Sequence, residues 1–293
     1  MRKELENRKE FSQKEIDIWF DCAKADEIKD GVIWINEPHH FEDVYAFLIQ
    51  GSTSDLLVDT GMGIAPIRPL LDKIRDVSKP LVVANTHWHF DHIGGNKEFE
   101  KVYIPFRSQE VYGIKKGWTK KEISKYFFSD GFWHGTPSGF DKENFSVPDY
   151  QKTDFLPNNI NLGDRTIQTI YTPGHTSGSV SFYDQTNGIL FTGDLLYEGP
   201  LYAFEEESNP DHYLQSLINM SNLFIKRIHP GHDHSDTSSF PNLINEAILL
   251  FERAKNKEVW DALGEFENTV EYHHPDIKLG RRLKIVVSKN YVR

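Results

Sequence analysis

Short apolar runs bounded by turn residues open the chain. Gly31 to Ile35, Tyr45 to Gln50 and Leu56 to Asp59 read as consecutive strands, and Ile64 to Val77 as a helix. Leu81 to Thr86 is the next strand and Val102 to Pro105 a short one after it, with Ser108 placed to cap a helix. A second block of strands comprises Thr166 to Tyr171, Ser179 to Asp184 and Gly188 to Thr192. The last two are joined through Thr186-Asn187-Gly188, where Asn-Gly favours a tight hairpin. Asp211 to Phe224 predicts a helix ahead of a strand ending near His232. Pro241 to Ala254 predicts an outer helix with Pro in its first turn, and Leu283 to Ser288 a final strand. Two blocks of strands, separated and followed by helices, define an α/β protein.

Candidate chemistry sits at the strand ends. Residues 87 to 92 read His-Trp-His-Phe-Asp-His, four metal-binding groups within six positions directly after an apolar run. Zinc takes imidazole nitrogen and carboxylate oxygen, four ligands in all, with one position open when the ion is catalytic. One ion cannot use all four groups and remain open, so the cluster points to two. Further ligands follow at later turns: His175 after Thr172-Pro173-Gly174, Asp194 after Thr192-Gly193, and His232 after Pro230-Gly231. The division that suits zinc is His87, His89 and His175 at one ion, Asp91, His92 and His232 at the other, and Asp194 bridging them. His134, His212, His229, His234, His273 and His274 lie outside these motifs and are expected to be surface or hydrogen-bonded residues.

In this order the four motifs resemble the metallo-β-lactamase superfamily, from about Gly31 to His234, with all seven ligand positions filled. The resemblance implies an αββα sandwich, two packed mixed sheets with outer helices, and a second-shell supporting role for Asp59. It also implies two Zn2+ ions, Fe or Mn being the alternative metals, and hydrolysis, with Asp91 both a ligand and a proton acceptor. Asp194-Leu195-Leu196-Tyr197 is similar to the Asp-x-x-Tyr of N-acyl-homoserine lactonases, which implies that Tyr197 binds the substrate carbonyl or departing oxygen. Segments around Asp30, Val58, Asn161 and Gly193 are similar to metallo-β-lactamase-domain proteins described as acyl-CoA thioesterases. The Gly-Cys-Gly-Arg-like segment of glyoxalase II is absent, and true β-lactamases of the family generally lack the bridging Asp. The expected activity is therefore that of a thioesterase or lactonase, the alternatives being a phosphodiesterase and an iron-dependent redox enzyme.

Composition narrows the partners. A net charge of −11 argues against nucleic acid, whose phosphates need a basic surface. No apolar stretch approaches the ~18 residues of a membrane span. The amino terminus is charged throughout and lacks a signal-peptide core, and the single Cys22 excludes an internal disulfide, so a cytoplasmic location is expected. One domain over 1–293 is expected, with a small-molecule acyl substrate, and a homo-oligomer is compatible with the sequence. The stretch from Glu110 to Tyr150 is an insertion rich in aromatic residues. With His40 and Phe41 on an early loop, its Phe127, Phe128 and Trp133 are expected to wall an apolar acyl pocket over the metal pair.

Overall fold

The computed structural model describes residues 11–24, 29–127, 140–141, 145–233, 242–256, 266–273 and 282–291, with backbone only for 125–127. They form two compact units, one built from 1–103 and 112–154, the other from 104–111 and 155–293.

The first unit begins with α1 (Gln13–Trp19), closed by a capping box. The Ser12 hydroxyl accepts from the Glu15 N–H and the Glu15 carboxylate accepts from the Ser12 N–H. Then come β1 (Asp21–Cys22), β2 (Val32–Asn36), β3 (Tyr45–Gln50), β4 (Asp55–Val58), α2 (Arg68–Ile74), β5 (Leu81–Ala84), α3 (Phe90–Ile93) and β6 (Val102–Ile104). After α4 (Ser108–Lys116), whose first residues belong to the second unit, α5 (Lys120–Phe127) and β7 (Thr153–Phe155) complete it. The seven strands lie in chain order. Strands β1 to β4 are antiparallel neighbours, and β4, β5 and β6 run parallel. All of β4 and the middle of β3 are buried, as their near-continuous apolar runs require.

Helix α2 is shorter than the apolar pattern predicts. Its first N–H groups, Ile67 and Arg68, are received by the distant carboxylate of Glu98 at 3.1 and 2.9 Å, which fixes the start there. Within the aromatic-rich segment, Phe145 and Tyr150 are buried, and the Tyr150 hydroxyl donates to the Phe99 carbonyl. These two glue the segment to the unit.

The second unit holds β8 (Asn159–Asn161), β9 (Thr166–Tyr171), β10 (Val180–Asp184), β11 (Ile189–Gly193), β12 (Pro200–Ala203), α6 (Pro210–Ser221), β13 (Arg227–Pro230), α7 (Leu243–Lys255), β14 (Thr269–His273) and β15 (Lys284–Ser288). One sheet has the order β13-β11-β10-β9-β8 and another β12-β15-β14. The hairpin between β10 and β11 turns at Gly188 (φ +67°), with the Asp184 carboxylate accepting from the Thr186 and Asn187 N–H groups. Leu217, Leu243, Ala247 and Phe251 from α6 and α7 share a core with Ile285 and Val287 of β15. Among the described residues no helix is long and apolar enough to cross a membrane.

Candidate metal centre

Four of the seven candidate ligands are in the first unit, on the segment that leaves β5. Asn85 N–H bonds to the Tyr103 carbonyl at 3.0 Å, and the Asn85 amide donates to the His92 carbonyl at 3.2 Å. The chain is thereby folded back so that His87, Asp91 and His92 are buried and His89 is half-buried. The His87 ring lies 4.7 Å from His89 and 4.2 Å from His92, centroid to centroid, and His92 Nε2 is 3.4 Å from Asp91 Oδ2. Such crowding suits neutral imidazoles around a shared cation better than three solvated histidines.

Asp59 sets the orientation of two of these rings. It follows β4 in the left-handed region (φ +60°), which Asp tolerates better than most residues. Its Oδ1 accepts from Thr86 N–H at 2.8 Å. Its Oδ2 accepts from the Thr86 hydroxyl at 2.8 Å and lies 2.9 Å from His92 Nδ1. A carboxylate only accepts, so His92 carries its proton on Nδ1 and turns the Nε2 lone pair outward. The Thr86 hydroxyl spends its one proton on Asp59 and so accepts from His87 Nδ1, 3.0 Å away, which puts the ring's lone pair on Nε2.

The second unit holds the other three. Asp194, 8% exposed, places Oδ2 3.3 Å from His175 Nε2 and Oδ1 3.4 Å from His232 Nε2, one oxygen to each ring. Asp194 thus offers one oxygen to each of two imidazoles. His175 Nδ1 is 3.0 Å from the Tyr202 carbonyl, an acceptor, so a neutral His175 carries its proton on Nδ1 and turns its Nε2 lone pair toward Asp194. The donor set therefore fits a divalent cation. The Asp194 carbonyl is itself fixed by the Tyr213 hydroxyl at 2.7 Å, and Gly174 (φ +149°) lets the chain turn into His175 where a Cβ would meet Tyr213 Cα at 2.3 Å.

Two residues expected to contact substrate, Tyr197 and His40, are buried. The Tyr197 hydroxyl donates to the Pro200 carbonyl, its ring packs 5.5 Å from His232, and burial holds the phenol well above its ordinary pKa, with Asp194 adding to the effect. Tyr197 is thus buried against His232, with its hydroxyl on a backbone carbonyl. His40 has no exposed surface. Its Nδ1 accepts from Glu42 N–H at 3.2 Å, and its ring lies 4.5 Å from that of half-buried Phe41, so it stabilises its own loop. Phe128 and Trp133 lie outside the described residues, as does the side chain of Phe127. Of the other histidines, His229 is buried and stacked on Phe191 at 5.2 Å, and His273 is 3.1 Å from Glu271.

Sequence patterns missed Thr86 and the Tyr202 carbonyl. Thr86 adjoins the first ligand and could have been found by position; a backbone carbonyl leaves no signature. Trp118 is a further aromatic of consequence. Half-buried, it stacks on Trp88 at 4.7 Å, donates to the Trp88 carbonyl at 3.1 Å and stands 6.0 Å from the His89 ring.

The strand-end ligands and the fold define a class. The chain belongs to the metallo-β-lactamase superfamily, whose family model matches residues 41–232, and it is a hydrolase of that superfamily. It is 30% identical over 221 residues to a Gallus gallus protein named acyl-coenzyme A thioesterase MBLAC2, covering 69% of this chain and 77% of that one. A hydroxyacylglutathione hydrolase of Trichodesmium erythraeum is 26% identical over 189 residues, 62% of this chain and 60% of the relative. Among solved structures, a metallo-β-lactamase from Pontibacter korlensis superposes with a TM-score of 0.55 at 18% identity, covering 80% and 99% of the two chains, which shows the shared fold.

Proposed function

We propose that the protein is a dinuclear zinc hydrolase of acyl thioesters, with the two ligand sets acting as one centre. His87, His89 and His175 would hold one ion, Asp91, His92 and His232 the other, and Asp194 both. The observation that carries this reading is the donor set itself: His87, His92 and His175 each have Nδ1 against an oxygen, and Asp194 offers one oxygen to each of two rings. When bound, a pair of divalent ions makes water acidic enough to act as hydroxide near neutral pH and polarises an acyl carbonyl. Asp91, buried beside His92, is the group that would take up a proton as the acyl carbon collapses to product.

The thioester is favoured over the lactone. Both groups of relatives named above act, by their names, on thioesters, whereas the residue that pointed to lactones, Tyr197, spends its hydroxyl on Pro200. The test is metal analysis followed by a substrate panel. Close to two zinc equivalents are expected, with release of free thiol from acyl-CoA. Efficiency should rise with acyl length by at most ~0.8 kcal/mol, about four-fold, per buried methylene. His87→Ala and Asp194→Ala should abolish turnover in folded protein. Iron with redox activity, preference for phosphodiesters or lactones, or full turnover in either variant would overturn the proposal.

A further inference from the structure

Glu110 is a fully buried carboxylate in the first turn of α4. An acidic residue there ordinarily lies in solvent, where it favours the helix dipole at little desolvation penalty. Here Oε1 instead accepts from the Thr176 hydroxyl and, at 3.1 Å, from the Gly178 N–H. Thr176 Oγ is in turn 2.6 Å from Ser179 Oγ, and the neighbouring Gln109 accepts from the Ser177 hydroxyl at 2.7 Å. Gly178 packs so closely that a Cβ there would meet Glu110 Cγ at 2.2 Å. Two successive residues of one helix therefore grip the three residues that follow His175.

The other sides of His175 are fixed independently: its carbonyl accepts from the Ser208 hydroxyl at 2.7 Å, and its ring faces the Tyr202 carbonyl. Burying a carboxylate costs several kcal/mol unless its bonds are returned, and the bonds from Thr176 and Gly178 both order one loop. Given the ligand assignment proposed above, on which this rests, we infer that Glu110 is a positioning residue for the metal, acting through Thr176 and Gly178 to hold His175 in place. Ligands held this way bind tightly because little ordering remains for the ion to impose.

The experiment is zinc titration of metal-free protein against a chromophoric chelator, with the visible spectrum of the cobalt-substituted protein as a second readout. Glu110→Ala, folded by circular dichroism, should bind zinc roughly 10- to 100-fold more weakly and show an altered cobalt spectrum. Glu110→Gln keeps a carbonyl oxygen for both donors and should stay near wild type in both readouts. Wild-type affinity in Glu110→Ala, or a loss in Glu110→Gln as large as in Glu110→Ala, would overturn the inference. Should Glu110→Ala fail to fold, Thr176→Val decides: a several-fold weaker affinity supports the clamp, and an unchanged one refutes it. His175→Ala is run alongside. If it binds zinc as tightly as wild type, the ligand assignment fails and the clamp with it; if it binds weakly while Glu110→Ala does not, only the clamp fails.

Discussion

Replacing Asp59 by Asn is the sharpest perturbation available, because it changes no volume and Asn tolerates the left-handed backbone found there. In the wild type both oxygens accept, three contacts in all, at 2.8, 2.8 and 2.9 Å. The amide must put its NH2 group somewhere. At the Oδ1 position it faces the Thr86 N–H, donor against donor. At the Oδ2 position it can donate to the Thr86 hydroxyl but confronts His92 Nδ1–H, so His92 must move its proton to Nε2, the atom that would hold the proposed metal. A hydrogen bond to a charged group is worth ~1.5–3 kcal/mol, which at 1.36 kcal/mol per decade corresponds to about 10- to 150-fold in metal affinity. Thr86→Val removes the link to His87 and the hydroxyl's bond to Asp59 but leaves the Asp59–His92 contact, and should have a smaller effect. The assay is zinc titration of metal-free protein, with circular dichroism to verify folding. Asp59→Asn binding zinc within about two-fold of wild type would show that tautomer control is not what Asp59 supplies.

Three further outcomes follow. Tyr197→Phe keeps the ring against His232 and loses one bond to Pro200, so kcat should change less than about three-fold, with Tm lowered by an amount matching the ~1 kcal/mol of a single hydrogen bond; a 100-fold loss of kcat at full metal content would return the hydroxyl to the reaction. Burial raises Glu37 to about 7, although Trp19 and Met62 donate to it; since the folded state holds this proton more tightly, its contribution to stability is present below pH ~4.5 and is lost as pH rises to ~7. Urea unfolding of metal-free protein should show that fall, and Glu37→Gln should flatten it, with lower stability than wild type at acid pH because one of the two donors loses its acceptor. Gly174→Ala meets both positive φ and the Tyr213 backbone and should lose more than about 1 kcal/mol in thermal unfolding, with weakened zinc binding; an unchanged Tm would show that the turn can relax.

Strand periodicity made much of the fold legible. Tyr45–Gln50 and Thr166–Tyr171 coincide with their predicted ranges, and most other strands differ by a residue or so at an end. Helix α2 was overextended because its start is set by Glu98, some 30 residues away, which no local window registers. Helix α1 went unread although Ser12 and Glu15 form a capping box in plain sight, and β14 is too mixed in polarity to announce itself. Burial was the larger gap. His40 and Tyr197 carry polar atoms that invite a functional reading, but whether such atoms meet substrate or a backbone carbonyl depends on the loop's path.

The two units reach the same end by different chemistry. His92 is oriented by a carboxylate and His87 by a hydroxyl that the same carboxylate has already polarised, so a single side chain, Asp59, governs two of the three candidate-ligand rings of the first unit. His175 is oriented by the Tyr202 carbonyl, which no side-chain substitution removes. The first arrangement adds charge, making its imidazoles better donors to a cation, and concentrates that benefit at one replaceable position. The second adds no charge to the ring and relies on the order of the loop, which in the second unit depends on Gly174, Ser208 and Glu110. Substitutions at Asp59 should therefore act through ligand basicity and appear in the pH dependence of zinc binding. Substitutions at Glu110 should act through loop order, shifting the affinity by a similar factor at every pH.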